Sequence, residues 1–496
     1  MTSTQLIQYL VFALFYVIVA KTNALSPEDL GILSILSFIA STLTISQLNL
    51  PNAITKFMSE HLGKGEPEKA AALQRKITIL ITIVSLMSFI IASVFSSQLS
   101  QYFWGTTEKS ALIILISFDA LFLNLIVFFQ SILRVFGLFD KIAIGTLIYV
   151  ISGRIIAIFL TLLNFGIIGV LFGYIVGSIL GLLTLIIFSH NQLPNPIAKI
   201  SIRPVLNFSL PLTLGSIADF VVNQIDVLII ATFTFNYALL GIYSIVVKSI
   251  SVLYVVWHPI LYTIFPLISA KFGLQDSKGI NKVVKMTSRY LAYTVIPSCV
   301  LIGAIAPTAL EIFYGADYAT GATALTILAI SITIFAFFKL FITTLTAMGE
   351  TRQVLKINII LAFATIILLS GFVPIFSVIG AATARLIAYS FALILVIYII
   401  RKYLNNLDID KEALWKSILA SIFFIPFLFV LQSVITKDVS IIMLFISEII
   451  IAGLIYLGVL RFLKALNNDD FDLIIQFFPK YMSKIINFLQ KIIIKN

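Results

Sequence analysis

The chain has 496 residues, 60% of them hydrophobic and only 11% charged, with a mean hydropathy of +1.10. Soluble domains carry about 25% charged residues, and a soluble core could not hide this much apolar surface, so lipid is the solvent for most of the chain. The formal charge of +11 falls in short loops between apolar runs, where membrane topology accounts for it and nucleic acid is not needed.

Lipid leaves only helices or closed barrels as spanning structures. Barrel strands alternate in polarity over ~10 residues, whereas the runs here are ~20 residues or longer and do not alternate. The expectation is an all-α polytopic membrane protein with about fourteen transmembrane helices. In chain order the spans are expected at 5–20, 30–58, 77–95, 111–133, 142–163, 167–189, 206–232, 240–266, 290–314, 322–348, 355–374, 378–400, 413–435 and 441–460. The first run lacks the positive flank of a signal peptide, so it is read as a retained helix. Beyond the last span, Lys480, Lys484, Lys491 and Lys495 fall on one face of an expected amphipathic helix within 464–496. Such a helix suits the anionic inner leaflet.

The loops test this assignment. One alternate set holds nearly all the loop cations, from Lys64, Lys69, Arg75 and Lys76 to Arg401, Lys402, Lys411 and Lys416. The opposite set holds only Lys21, Lys109 and Lys437. Positive loops stay cytoplasmic, so both termini are expected inside, on a multi-pass protein of the cell membrane.

The chain also repeats itself. Pro51, Gly137 and Gly169 recur as Pro259, Gly349 and Gly380, at offsets of 208, 212 and 211 residues. This implies two parallel six-helix lobes, an N-lobe at 1–205 and a C-lobe at 206–402, followed by two appended helices at 403–463. Parallel repeats of this kind build transporters that bind substrate between the halves.

Charges inside spans cost ~3 kcal/mol on insertion scales and need a partner or a wet cavity. The basic ones are Lys56, Arg154, Lys248, Lys339 and Arg385. Asp119 and Arg154 flank the turn near Gly137 at similar distances, so they are read as a structural ion pair. Asp226 and Lys248 flank the turn near Asn236, where pairing and a ligand role both stay open. Lys56, Lys339 and Arg385 have no evident sequence partner; with Lys248 they are candidates for gripping phosphate, Arg385 above all because its guanidinium binds phosphate bidentately. Asp219, Asn223 and Asp226 recur at i, i+4 and i+7, one helical stripe, and are candidates for cavity polarity or cation coupling. Tyr243, Tyr254, Trp257, Tyr262 and His258 decorate the eighth span; the tyrosines and Trp257 suit packing, interface anchoring or stacking on sugars, and His258, just before Pro259, suits a local hydrogen bond.

Several motifs stand in a familiar order. Leu25-Ser26-Pro27-Glu28-Asp29-Leu30-Gly31 opens the second span, followed by Lys56-Phe57-Met58-Ser59-Glu60 and Gly63-Lys64-Gly65. Later come Gly241-Ile242-Tyr243, Phe265-Pro266-Leu267-Ile268-Ser269 and Phe313-Tyr314-Gly315-Ala316-Asp317-Tyr318. This order resembles the polysaccharide-biosynthesis and oligosaccharide flippases of the multidrug/oligosaccharidyl-lipid/polysaccharide transporter superfamily, over about 5–402. The resemblance implies a V-shaped pair of six-helix lobes, alternating access and export of a lipid-linked, phosphate-bearing glycan, in a pathway shared with glycosyltransferases. It implies a transporter rather than an enzyme, with no cofactor and no metal; Na+ or H+ coupling stays open. The alternative is a multidrug or cation antiporter of the same superfamily, but the span cations outnumber the span anions. A membrane-embedded glycosyltransferase would need acids on a large external loop, and the longest, about 96–110, has only Glu108.

Overall fold

In the computed structural model of the chain, residues 2–190, 192, 200–404, 407–434 and 441–465 are described. The expected amphipathic tail helix, with Lys480, Lys484, Lys491 and Lys495, lies outside them. Among the described residues all regular structure is helical. Ten helices are long and apolar enough to cross a membrane, or eleven when a bent pair is counted as one span.

The order is α1 (Thr2–Lys21), α2 (Pro27–Thr44), α3 (Leu50–Gly63), α4 (Pro67–Val94), α5 (Ser96–Trp104), α6 (Ser110–Val135), α7 (Phe139–Leu160), α8 (Gly166–Ser189), α9 (Arg203–Thr234), α10 (Tyr237–Ser251), α11 (Tyr254–Gly273), α12 (Ser277–Ala304), α13 (Ala306–Tyr314), α14 (Ala322–Ala347), α15 (Thr351–Ile400), α16 (Lys411–Val434) and α17 (Ile441–Phe462). Local chemistry sets several ends. Ser26 and Asp29 form a reciprocal capping box at the start of α2, with Pro27 in its first turn, which satisfies two orphan donors. Asp276 accepts from the Gly279 amide to start α12.

Three expected spans are not continuous. The second breaks where Ile45–Gln47 tighten into a 3₁₀ turn and Leu48 and Asn49 turn left-handed, with φ of 51° and 55°. Pro51 then restarts the chain as α3, because its fixed φ suits a first turn but its missing N–H cannot continue an older one. The eighth breaks between α10 and α11 at Val252–Leu253. The ninth bends by 71° between α12 and α13, leaving Ala304 and Ile305 at the elbow.

The internal repeat is written in the backbone. Gly137 and Gly349, 212 residues apart, both take positive φ, at 68° and 85°. The same three hydrogen bonds close each turn: Gly137 N–H to Arg134, Leu138 to Leu133 and Phe139 to Gly137, then Gly349 to Thr346, Glu350 to Leu345 and Thr351 to Gly349. Gly166 (φ 53°, ψ −139°) is matched by Ser377 (φ 50°, ψ −125°), 211 residues on. The bonds from Phe95 to Ile91 and Leu99 to Phe95 recur as Ile305 to Leu301 and Ala309 to Ile305, 210 residues on. Ser377 is the break inside α15, whose 50 residues would span ~75 Å if straight, far more than a ~30 Å hydrocarbon core.

Cα packing divides the chain into two compact units: Met1–Ile245 with Asn358–Ala381, and Val246–Ile357 with Ala382–Asn496. In the first, small residues let α7 and α8 meet backbone to backbone, Gly153 against Gly173 and Gly177, the usual means of helix association in lipid. In the second, the appended helices α16 and α17 are bolted to α12. Ser417 donates to the Ala292 carbonyl at 2.6 Å and Tyr456 to the Tyr293 carbonyl at 3.0 Å.

Candidate functional site

In the first unit the polar stripe of α9 divides in two. Asp219 and Asn223 are exposed, whereas Asp226 is buried. Asn223 Nδ2 donates to the Asp219 carbonyl at 2.7 Å, and Asn358 Nδ2 approaches Asp219 Oδ1 at 3.4 Å. Asp226 instead accepts a 2.6 Å bond from the Tyr243 hydroxyl of α10. Spacing alone put the three residues on one face. The return of the chain at Phe235 lays α10 over the upper part of that face and covers Asp226, which sequence spacing does not reveal.

Lys56 is exposed on α3. Its ammonium lies 4.0 Å from the Phe208 ring centroid and 5.2 Å from that of Phe57, a cation–π contact that steadies the side chain while leaving it accessible.

The expected Asp119–Arg154 ion pair is not closed. Both residues are buried, but no Arg154 nitrogen comes within 4.0 Å of an Asp119 carboxylate oxygen. The Arg154 guanidinium is instead set among the rings of Tyr174, Phe12 and Phe15, at 3.7, 4.4 and 5.4 Å. Equal depth in a hairpin does not fix azimuth, and the aromatic faces of α1 and α8 compete for the cation.

The second unit holds the remaining candidates. Trp257 packs edge-on against His258 at 4.2 Å, and His258 stacks parallel to Tyr254 at 5.4 Å. Trp257 also meets Phe335, which contacts Tyr389 at 4.5 Å. Lys339 lies 5.1 Å from the Phe335 ring, one turn further along α14. Arg385 is buried, one turn before Tyr389 on α15. The Phe335–Tyr389 contact places these two helices at a common level, so Lys339 and Arg385 flank the aromatic cluster about 12 Å apart along the helix direction at ~1.5 Å per residue. Lys248 is exposed on α10.

A residue without an assigned role from sequence acquires a structural one. Glu448 of α17 is fully buried; its Oε1 accepts from Gln432 Nε2 at 2.6 Å and from the Thr308 hydroxyl at 3.2 Å. Gln432 also reaches the Ala304 carbonyl at the α12–α13 elbow, so the triad pins the appended helices to that bend. Nothing in the spacing of these residues foretells it. Among the described residues no cluster of three or more His, Cys, Asp or Glu could hold a metal ion.

The model of a family described as polysaccharide biosynthesis protein matches residues 18–323. An uncharacterized membrane protein of Methanocaldococcus jannaschii is 20% identical over 477 residues, covering 91% of this chain and 92% of that protein. Among solved structures, the lipid II flippase MurJ in an inward closed conformation is similar with a TM-score of 0.74 at 17% identity, over 92% of this chain and 96% of that one. An inward-facing multidrug resistance MATE family transporter of the MOP superfamily is similar with a TM-score of 0.67 at 16% identity, over 81% and 95%. At these identities the structural likenesses speak for the fold alone.

Proposed function

We propose, from the premise that the chain belongs to the polysaccharide biosynthesis protein family, that it exports a lipid-linked, phosphate-bearing oligosaccharide or polysaccharide precursor across the cytoplasmic membrane. In this reading the chain is a multi-pass membrane transporter of the flippase type, which its family and its many apolar helices support. In the finer reading, the lobes at 1–205 and 206–402 alternate access to the two membrane faces, with both termini in the cytoplasm. Arg385, Lys339, Lys56 and Lys248 serve the substrate phosphate. Asp219, Asn223 and Asp226 serve the cavity or a coupling Na+ or H+. Glycosyltransferases of the same pathway supply the substrate.

The observation that carries this reading is the exposure of Lys56, Asp219 and Asn223 inside apolar spans. Lipid-facing helices exclude such groups, so their accessibility supports a water-filled route through the first unit. The multidrug antiporter reading is not favoured, because the span charge balance suits an anionic cargo.

Deletion of the gene tests the proposal. Lipid-linked glycan should accumulate on the cytoplasmic side while the surface glycan is depleted. Unchanged surface glycan with raised sensitivity to cationic dyes refutes it.

A further inference from the structure

The break in the second span opens a cavity of about 200 Å³ in the first unit, lined among others by Gln47, Asn49, Asn52, Arg134, Thr213 and Ser216. No acidic residue is among those lining it. Gln47 is nine-tenths buried, with 9% exposure. Its Nε2 donates to Asn124 Oδ1 at 2.7 Å, while its own carbonyl oxygen accepts from no donor among the described residues. Asn52 Nδ2 donates to Asn49 Oδ1 at 2.7 Å, and Asn49 Nδ2 to the Ser216 hydroxyl at 2.6 Å. These bonds use the amide donors and hold the Asn52 carbonyl oxygen as a fixed acceptor. At the rim, Arg134 is exposed, and its guanidinium has neither a hydrogen bond nor an ion pair among the described residues. The first turn of α3 begins at the same break, and its partial positive charge adds to that of the guanidinium.

We propose that this cavity receives the phosphate and the first sugar of the substrate as it enters from the cytoplasmic side; the assignment rests on the flippase reading above. The donor set matches that chemistry on both counts. A guanidinium grips a phosphate through two parallel N–H bonds. The Gln47 and Asn52 carbonyl oxygens are open to the cavity as acceptors for sugar hydroxyls. The volume is below the ~300–1,000 Å³ of sites for drug-sized ligands, so it takes one sugar ring, with the phosphate held at the rim by Arg134 and the rest of the glycan outside. Lys56 lies one turn beyond Asn52 on α3 and supplies a second exposed cation on the way in from the charged 64–66 loop.

Binding to the purified full chain in lipid nanodiscs tests the site, with three probes: farnesyl diphosphate-linked N-acetylglucosamine, farnesyl diphosphate, and UDP-N-acetylglucosamine. Wild type should bind the first most tightly. Arg134→Gln should weaken both farnesyl probes at least tenfold. Gln47→Leu should weaken only the sugar-bearing one, and Arg352→Gln, an exposed substitution in the first turn of α15 and outside the site, should change neither. Because Arg134 is at an exposed rim, its substitution carries the test even if Gln47→Leu fails to accumulate. Wild-type affinity in Arg134→Gln, or no binding of any probe by wild type, overturns the site. Equal, Arg134-dependent affinity for UDP-N-acetylglucosamine overturns its assignment to a lipid-linked ligand. Surface glycan in the deletion strain judges the flippase reading separately. Depleted glycan with Arg134-independent binding sinks this site alone, whereas unchanged glycan sinks the reading on which it rests.

Discussion

The α7–α8 contact lends itself to a quantitative test. A Cβ added at Gly177 would lie 2.5 Å from Gly153 Cα, 2.7 Å from Gly153 N and 2.7 Å from the Tyr149 carbonyl oxygen. Ordinary contact begins at 3.4 Å, and every clashing atom is backbone, so no rotamer change relieves it. Gly177→Ala must therefore part the two helices by nearly 1 Å. A gap of that size forfeits a quarter to a half of each dispersion well across the seam, and overpacking of this kind costs about 1–3 kcal/mol. The helix-propensity advantage of Ala over Gly contributes little, because both helices are already formed in the membrane before they associate. Gly173→Ala makes the same demand one turn away, with its Cβ 2.5 Å from Ala157 N. Once one substitution has parted the helices, the second fits into the opened seam. The double variant should then be less destabilised than the sum of the singles, by about 1 kcal/mol. Reversible unfolding by steric trapping in bicelles measures all three, with Gly458→Ala as control because its Cβ would meet nothing within 4 Å. Gly177→Ala as stable as Gly458→Ala, or strictly additive singles, would refute the backbone-contact reasoning.

Three further outcomes are expected. If Arg385 grips phosphate, Arg385→Lys keeps the charge but loses the bidentate geometry and should retain partial export. Arg385→Ala should abolish export at normal membrane abundance, and full export by an abundant Arg385→Ala protein excludes the role. In a Cys299→Ala background, a membrane-impermeant maleimide applied to intact cells should label Thr106→Cys and Ala238→Cys but not Lys64→Cys or Lys278→Cys; outside labelling of Lys64→Cys overturns the topology. The Gly279 amide and then Lys271 hold the Asp276 carboxyl below its ordinary value of 3.8. A group with a depressed folded pKa stabilises above its unfolded pKa and stops doing so as pH falls through the folded one. Exchange of the Gly279 amide, corrected for intrinsic rate, should therefore accelerate below about pH 4 in wild type, and an acid-insensitive rate matching Asp276→Asn would show that the cap is idle.

Fold class, the membrane setting and the internal repeat are all determined by the sequence alone. Apolar run length sets helix against strand in lipid, and one landmark of the repeat is visible because Gly137 and Gly349 stand where the backbone takes positive φ, a demand few other residues meet. Depth along a span was legible for the same reason: the rise per residue is constant. Azimuth and partnership were decided only by the tertiary structure. Arg154 and Asp119 share a depth, yet the cation turns to Tyr174, Phe12 and Phe15. Asp219 and Asp226 share a helical face, yet Tyr243 takes one of them into the core. The cavity at Gln47 exists because α2 stops at a left-handed Leu48–Asn49 step, and the apolar residues around that step read as one continuous span. Hydropathy averages over such a step, and which helix comes to lie across it depends on contacts between residues as far apart as Asn49 and Ser216.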